Sequence, residues 1–195
     1  MRIFLTVLVL IFSFQSWTKA DDIRDFQIEG ISIGDSALDY FSKEQIKKNS
    51  MSYFKNNKYT PVQNDQLPFF NTYDAVDFAF KTNDKKYIIQ SISGVLFYDL
   101  NVKDCYKKMD EIIDEMDVIF SNQKKYPKRT YKHGNKILNK SGKSIVTDVE
   151  YEFKNEDSVS VACYDYSIEH GSQDHLNVAI DKKAYSDFLI NEAYK

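Results

Sequence analysis

The order of apolar and polar positions divides the chain into blocks of strands and helices. In 75–80, Val76, Phe78 and Phe80 alternate with Ala75, Asp77 and Ala79, the period of a strand. Residues 82–85 read as a turn and 87–98 as a second strand, with a bulge predicted at Gly94, where the alternation loses phase. The strongest helical pattern covers 102–120: Val102, Cys105, Met109, Ile112, Ile113, Met116, Ile119 and Phe120 share one face. Residues 121–143 read as a polar loop. Three strands follow, carried by Ile145, Thr147, Val149, Tyr151 and Phe153, by Val159, Val161 and Cys163, and by Leu176, Val178 and Ile180. A last helix is predicted over 182–190.

The first third is less regular. Residues 26–33 look strand-like but are interrupted by Gly30, and Asp35 is a candidate N-cap for a short helix over 37–41. Ser42 and Gln45 have the spacing of a capping box for a second short helix. Residues 49–74 read as a long connection holding one extended piece. Strands and helices come in blocks joined by short loops, so the predicted class is α+β. The expected layout is an antiparallel sheet, a hairpin plus a three-stranded meander, packed on one long helix with short N-terminal helices.

The N-terminus changes the setting. Arg2 precedes a run over 3–14 with only one Thr and one Ser, and Thr18-Lys19-Ala20 places small residues three and one before a cut. Twelve residues fall short of the roughly 20 that span a bilayer. Residues 1–20 are thus expected to be a cleavable signal peptide. Residues 21–195 would form a single domain in the periplasm or secreted, with no lipid-attachment Cys after the cut and no membrane span. Losing Arg2 and Lys19 takes the formal charge from −3 to −5. An acidic chain with Arg only at 2, 24 and 129 is a poor nucleic-acid binder, since phosphate contacts need clustered positive charge.

Outside the cytoplasm the two cysteines predict a disulfide. Cys105 lies on the apolar face of the long helix and Cys163 on the apolar face of the middle meander strand, so both thiols point into one layer.

Chemical motifs fail on spacing. Gly34-Asp35-Ser36 resembles the start of the GDSL esterases, but that family needs a late Asp-x-x-His. Here Asp174 directly precedes His175 and position 177 is Asn. Gly142-Lys143-Ser144 lacks the Gly that a phosphate-binding loop needs five residues earlier; Ile137 stands there. His133, His170 and His175 show no metal spacing and read as loop or surface residues. Asp110, Asp114 and Asp117 form a helical stripe, which suits a solvated face better than a calcium loop; the basic segment 124–132 can fold back on it. No catalytic residue, metal or cofactor is assigned.

One constellation comes from register. If Val149 faces Cys163 and Cys163 faces Leu176, the aliphatic faces are buried together. The same register sets Asp148, Tyr164 and His175 in one outer row, flanked by Glu150 and Asn177 and by Tyr166 and Gln173. A carboxylate, a phenol and an imidazole side by side can bind a polar ligand or move a proton; an ordinary wet sheet face is the simpler account. Asp148, Tyr164, His175 and Asn177 are therefore the candidate ligand-binding residues.

The segments DDIRDFQIEGISIGDS (21–36), KKYIIQSISG (85–94), CYKKMDEI (105–112), KSGKS (140–144) and VSVACYDYS (159–167) resemble a group of small exported proteins of marine alphaproteobacteria. That group carries no assigned activity, so the resemblance implies an address and no reaction. The order strand, short helix-turn-helix and hairpin in the first third is similar to β-lactamase-inhibitor-like periplasmic folds. The function expected is a non-catalytic periplasmic binding or envelope-interaction protein, its partner an unknown small ligand or envelope protein. The alternatives are a small periplasmic hydrolase or other enzyme using the outer sheet face, and a structural envelope component. An exposed apolar patch would favour partner binding; a pocket lined by shifted titratable groups would favour an enzyme.

Overall fold

The computed structural model describes residues 22–65, 70–99, 101–133, 139, 141–170 and 172–194. The expected signal peptide, residues 1–20, lies outside the described residues. Seven strands are present among the described residues: β1 (Tyr59–Asp65), β2 (Ala75–Lys81), β3 (Ile89–Phe97), β4 (Lys124–Lys132), β5 (Ile145–Glu152), β6 (Ser158–Asp165) and β7 (His175–Asp181). The helices are α1 (Lys43–Asn49), α2 (Val102–Ile119) and α3 (Lys183–Asn191). The strands form one antiparallel sheet in the order β1-β2-β3-β7-β6-β5-β4, and α2 lies against β6 and β7. The class is α+β, with one longer helix on the sheet.

The inner face is built by the aliphatic alternation. Val76, Phe78, Ile92, Val149, Val161, Leu176, Val178 and Ile180 are buried there with Cys105, Met109, Ile113, Met116 and Phe120 of α2. Cys105 and Cys163 are both fully buried and joined by a disulfide, with Cα atoms 6.0 Å apart, within the usual range. The two periodicities, 3.6 and 2, did place the sulfurs in the same layer. The Tyr151 hydroxyl donates to Asp117 at 2.7 Å, tying β5 to α2 as well.

Several local expectations are corrected. The extended piece within 49–74 is the edge strand β1. The other edge, β4, lies inside the segment read as a loop, because its side chains are mostly exposed and carry no apolar alternation. Its backbone ladder to β5 is supplemented by ion pairs: Lys125 reaches Asp117, Lys128 pairs with Asp110, and Arg129 pairs with Asp148 and Glu150. The basic segment thus folds onto the acidic stripe of α2. A register shift between Tyr126 and Arg129 brackets Pro127, which has no N–H to offer a ladder.

The bulge in β3 falls between Ile89 and Ser91, not at Gly94. Gly94 stays in register with Val76 and Val178. Its missing side chain makes room for Tyr73: a Cβ there would sit 2.5 Å from that ring. Residues 26–33 form no strand; a tight turn with Glu29 (φ 50°) and Gly30 (φ 78°) brings Ile28 to Ile31. Ser36, not Asp35, caps the short turn Ala37–Asp39, while Asp35 accepts from the Ser32 N–H and the Tyr40 hydroxyl. The predicted capping box is formed, with Ser42 and Gln45 bonding reciprocally at the start of α1.

Candidate functional site

The expected outer row is off by two residues. Val149 faces Val161, and Thr147 faces Cys163. Tyr164 does face His175, but its β5 neighbour is Val146. Asp148 lies in the row of Ala162 and Asn177. A slip of two keeps every side chain on its face, so hydrophobic alternation does not detect it. The β5–β6 turn decides it: the Phe153 N–H bonds the Asp157 carbonyl, and Glu156 takes φ 61°.

Asp148, largely buried, is committed elsewhere. It accepts from Arg129 Nε at 2.7 Å and from the Tyr131 hydroxyl at 2.8 Å. His175 stacks on Tyr164 with ring centroids 4.6 Å apart and planes 16° off parallel, and Tyr166 stacks on Tyr164 at 6.0 Å. Burial holds the imidazole down at about 4, so it is neutral at neutral pH. His175 is thus a half-buried strand residue and not a loop one, and its ring face is already used. His133 sits beside the same stack, 6.0 Å from Tyr164. Ser36 caps Leu38 N–H and donates to the Lys86 carbonyl, which gives its hydroxyl a structural role.

What the sequence reading missed lies on the same outer face. This face is not an open wet surface. Helix α3 carries Tyr185 and Phe188, which form a second apolar cluster with Phe54, Tyr59 and Ala79. The cluster is held edge to face: Phe54–Phe188 at 5.0 Å and Tyr59–Tyr185 at 5.1 Å. Between this cover and the sheet lies a cavity of about 240 Å³. Its floor is made of small residues: Ser91, Ser93, Ser160, Ala162 and Ala179. Tyr53, Phe54, Tyr185, Leu189 and Tyr194 line its cover, and Tyr164 and Asn177 border it. Two of the four predicted residues, Tyr164 and Asn177, are therefore at this cavity; Asp148 and His175 are not among its lining.

The cavity holds two carboxylates, Asp77 on β2 and Asp181 on β7. Asp77 stands directly opposite Ser93 across the ladder, and Asp181 opposite Ser91. β3 runs between them, which sets their Cα atoms roughly 12 Å apart by strand spacing. Each has one buried oxygen, Oδ1, without a hydrogen-bond partner, and these are the only such side-chain atoms among the described residues. Burial pushes the Asp77 carboxyl up to about 7, helped by Asp65 on β1. Burial pushes Asp181 up to about 6 against the pull of the Ser91 hydroxyl, with Glu150 and Asp157 adding to the rise. The phenol of Tyr185 is raised by its own burial and by the phenols and carboxylates around it, including Tyr53, Asp181 and Asp77.

The signal for this site was in the strands. Ala75 and Ala79 flank Asp77 on β2, and Ala179 lies between Asn177 and Asp181 on β7; apolar Ala at these outer positions departs from the polar alternation of a solvated face. Small residues in such a row mark a face that something covers.

A second concavity, a groove of about 470 Å³, lies between α1 and the β2–β3 turn, with Lys43, Lys47 and Lys85 along it. It is broader but holds no unpartnered buried polar atom. Among the described residues no group of three His, Cys, Asp or Glu is placed to hold a metal ion, and no helix is long and apolar enough to cross a membrane. No protein family, curated protein or solved structure matches the chain.

Proposed function

We propose that this chain is an exported binding protein that holds a small polar ligand between the outer face of its sheet and helix α3. The observation that carries the reading is that Asp77 and Asp181 line one cavity and that each carries one buried carboxylate oxygen without a partner among the described residues. A buried polar atom left unpaired costs about 1–3 kcal/mol, and more when charged. Sites that bear such a cost are where ligands supply the missing bonds. The cavity is smaller than the roughly 300 Å³ at which drug-sized sites begin, so the ligand is a small one.

Export rests on the signal-like pattern of 1–20 and on the resemblance to exported proteins of marine alphaproteobacteria. The buried disulfide agrees with it, since such bonds persist in oxidising compartments. In this reading the mature chain starts at Asp21.

An enzyme is the second reading. It is favoured by Asp77, whose carboxyl near 7 matches a general base at neutral pH. Against it, the two carboxylates stand on opposite sides of β3, and neither is among the groups that shift the other. Native mass spectrometry of the mature protein from a bacterial periplasm tests both readings. A retained small ligand, lost in D77N and D181N, supports binding. Recovery of a chemically altered product, with turnover abolished by D77N, supports the enzyme. A protein that is empty from every source, with variants that behave as wild type, overturns both.

A further inference from the structure

We infer that the ligand is a small organic cation with two ammonium ends, one for Asp77 and one for Asp181. The inference rests on the binding reading above and adds the chemical class.

The argument starts from where the chain spends its own positive charges. Lys58 pairs with Glu192, Lys124 with Glu152, Lys125 with Asp117, Lys128 with Asp110, Arg129 with Asp148, Lys143 with Glu169 and Lys182 with Asp157. None reaches Asp77 or Asp181. Among the described residues those two are the only charged ones lining the cavity, and no Lys, Arg or His lines it. The charges felt from behind the walls have the same sign: Asp65 at Asp77, Glu150 and Asp157 at Asp181. Lys182, next to Asp181 in the chain, is turned to Asp157 at 2.9 Å. The cavity therefore presents an uncompensated negative potential, and low-dielectric walls strengthen it.

The shape of the site then selects the cation. The two carboxyl groups stand on either side of β3, so one ammonium cannot reach both. Two cationic ends with N–H donors, joined by a short apolar chain, can. The Ser91 and Ser93 hydroxyls lie between the acids as acceptors for further N–H groups, and Ala162 and Ala179 leave space for methylenes. Tyr53, Tyr164, Tyr185 and Tyr194 supply ring faces and edges of the kind cations favour. The volume equals about eight waters of liquid, the size of a short diamine.

Binding also has a proton signature. A cation favours the ionised carboxylates, so it expels protons from Asp77 near pH 7. The groups facing these carboxylates are Asp65 on β1, Tyr53 before β1, and Tyr185 on α3 for Asp77. For Asp181 they are Ser91 on β3, Tyr164 on β6, Tyr185 on α3, Glu150 on β5, and Asp157 with its partner Lys182.

The test is calorimetric titration of the oxidised mature chain with four probes of similar length. These are 1,4-diaminobutane, butylamine, 1,4-butanediol and succinate, at matched ionic strength. The diamine is expected to bind at least tenfold more tightly than butylamine, with the diol and the dianion weaker still. It should release protons at pH 7, read as a dependence of the heat on buffer ionisation enthalpy. D77N and D181N should each lower diamine affinity tenfold or more, the loss of one charge-assisted bond. Butylamine equal to the diamine overturns the two-ended ligand. Preference for the diol or succinate overturns the cationic class and leaves the binding reading intact. No binding by any probe, with wild type and variants alike, overturns the inference; the binding reading is judged separately, by ligand retention in native mass spectrometry.

Discussion

Asp77→Asn should stabilise the ligand-free protein, and the gain should grow with pH. Asp77 has an ordinary carboxyl value of 3.8 when exposed and about 7 in the fold. The native state therefore holds its proton more tightly than the unfolded chain. Between those values the native state binds more protons, so stability falls as pH rises. The contribution is complete below about pH 4 and is lost as pH passes 7. Each pH unit between the two values is worth about 1.36 kcal/mol, which sets an upper bound of about 4 kcal/mol. The cavity opens to solvent on one side, and we expect about 2–3 kcal/mol. Urea unfolding of wild type and D77N at pH 4, 6 and 8 measures it. The two should differ little in pH sensitivity below pH 4, and D77N should gain by about 2–3 kcal/mol relative to wild type by pH 8. Asp181 titrates in both proteins, so the difference isolates Asp77. A gap independent of pH would mean that Asp77 ionises as an exposed acid, and the cavity would lose its central observation.

Other perturbations test the frame around the site. Replacing Cys105 and Cys163 by Ala removes a crosslink spanning 58 positions, worth about 4 kcal/mol in the chain-entropy account; unfolded, unreduced wild type should show no free thiol by colorimetric titration. Gly94→Ala should destabilise by about 1–3 kcal/mol by thermal melting, since the added carbon meets the Tyr73 ring, and Tyr73→Ala should relieve most of that loss. Arg129→Ala leaves the buried Asp148 with only the Tyr131 hydroxyl and should cost about 1–3 kcal/mol in urea, whereas Lys128→Ala, at an exposed pair, should change stability by less than about 1 kcal/mol.

How much of this was legible in the sequence depends on which force sets each feature. The long helix, the aliphatic strands and the disulfide follow from apolar periodicity, and that signal is strong because one face of each element is buried. Strand β4 escaped it because its side chains are exposed and do not alternate, and what joins it to the fold is a backbone ladder with β5 and ion pairs between side chains distant in sequence, such as Lys125 with Asp117. The outer row slipped because period two distinguishes faces and not rows; placing Asp148 opposite Ala162 and not Tyr164 needed the turn at Glu156, whose positive φ no pattern of hydrophobicity reveals. The cavity was hidden by a different assumption. Polar positions on an amphipathic strand were read as solvent-facing, whereas Ser91, Ser93, Ser160 and Ala179 lie under or beside α3 and its aromatic cluster.

The two faces of the sheet therefore do different work, and the difference constrains where function lies. The inner face carries large aliphatic side chains, the disulfide and α2, and its buried polar groups are paired; the Tyr151 hydroxyl, for instance, finds Asp117. An outer face meant only to be covered by α3 would do best with Val or Ile on its floor, which would fill the space and remove the unpaired oxygens. Instead it combines a small-residue floor with two acids that no lysine among the described residues pairs with. Replacing Asp77 with a neutral residue of the same shape should make the fold more stable, the outcome expected of a residue that does not serve folding. A residue whose removal is expected to stabilise the protein, set in a cavity with a second acid raised by burial, fits the proposal that a ligand enters that cavity from outside.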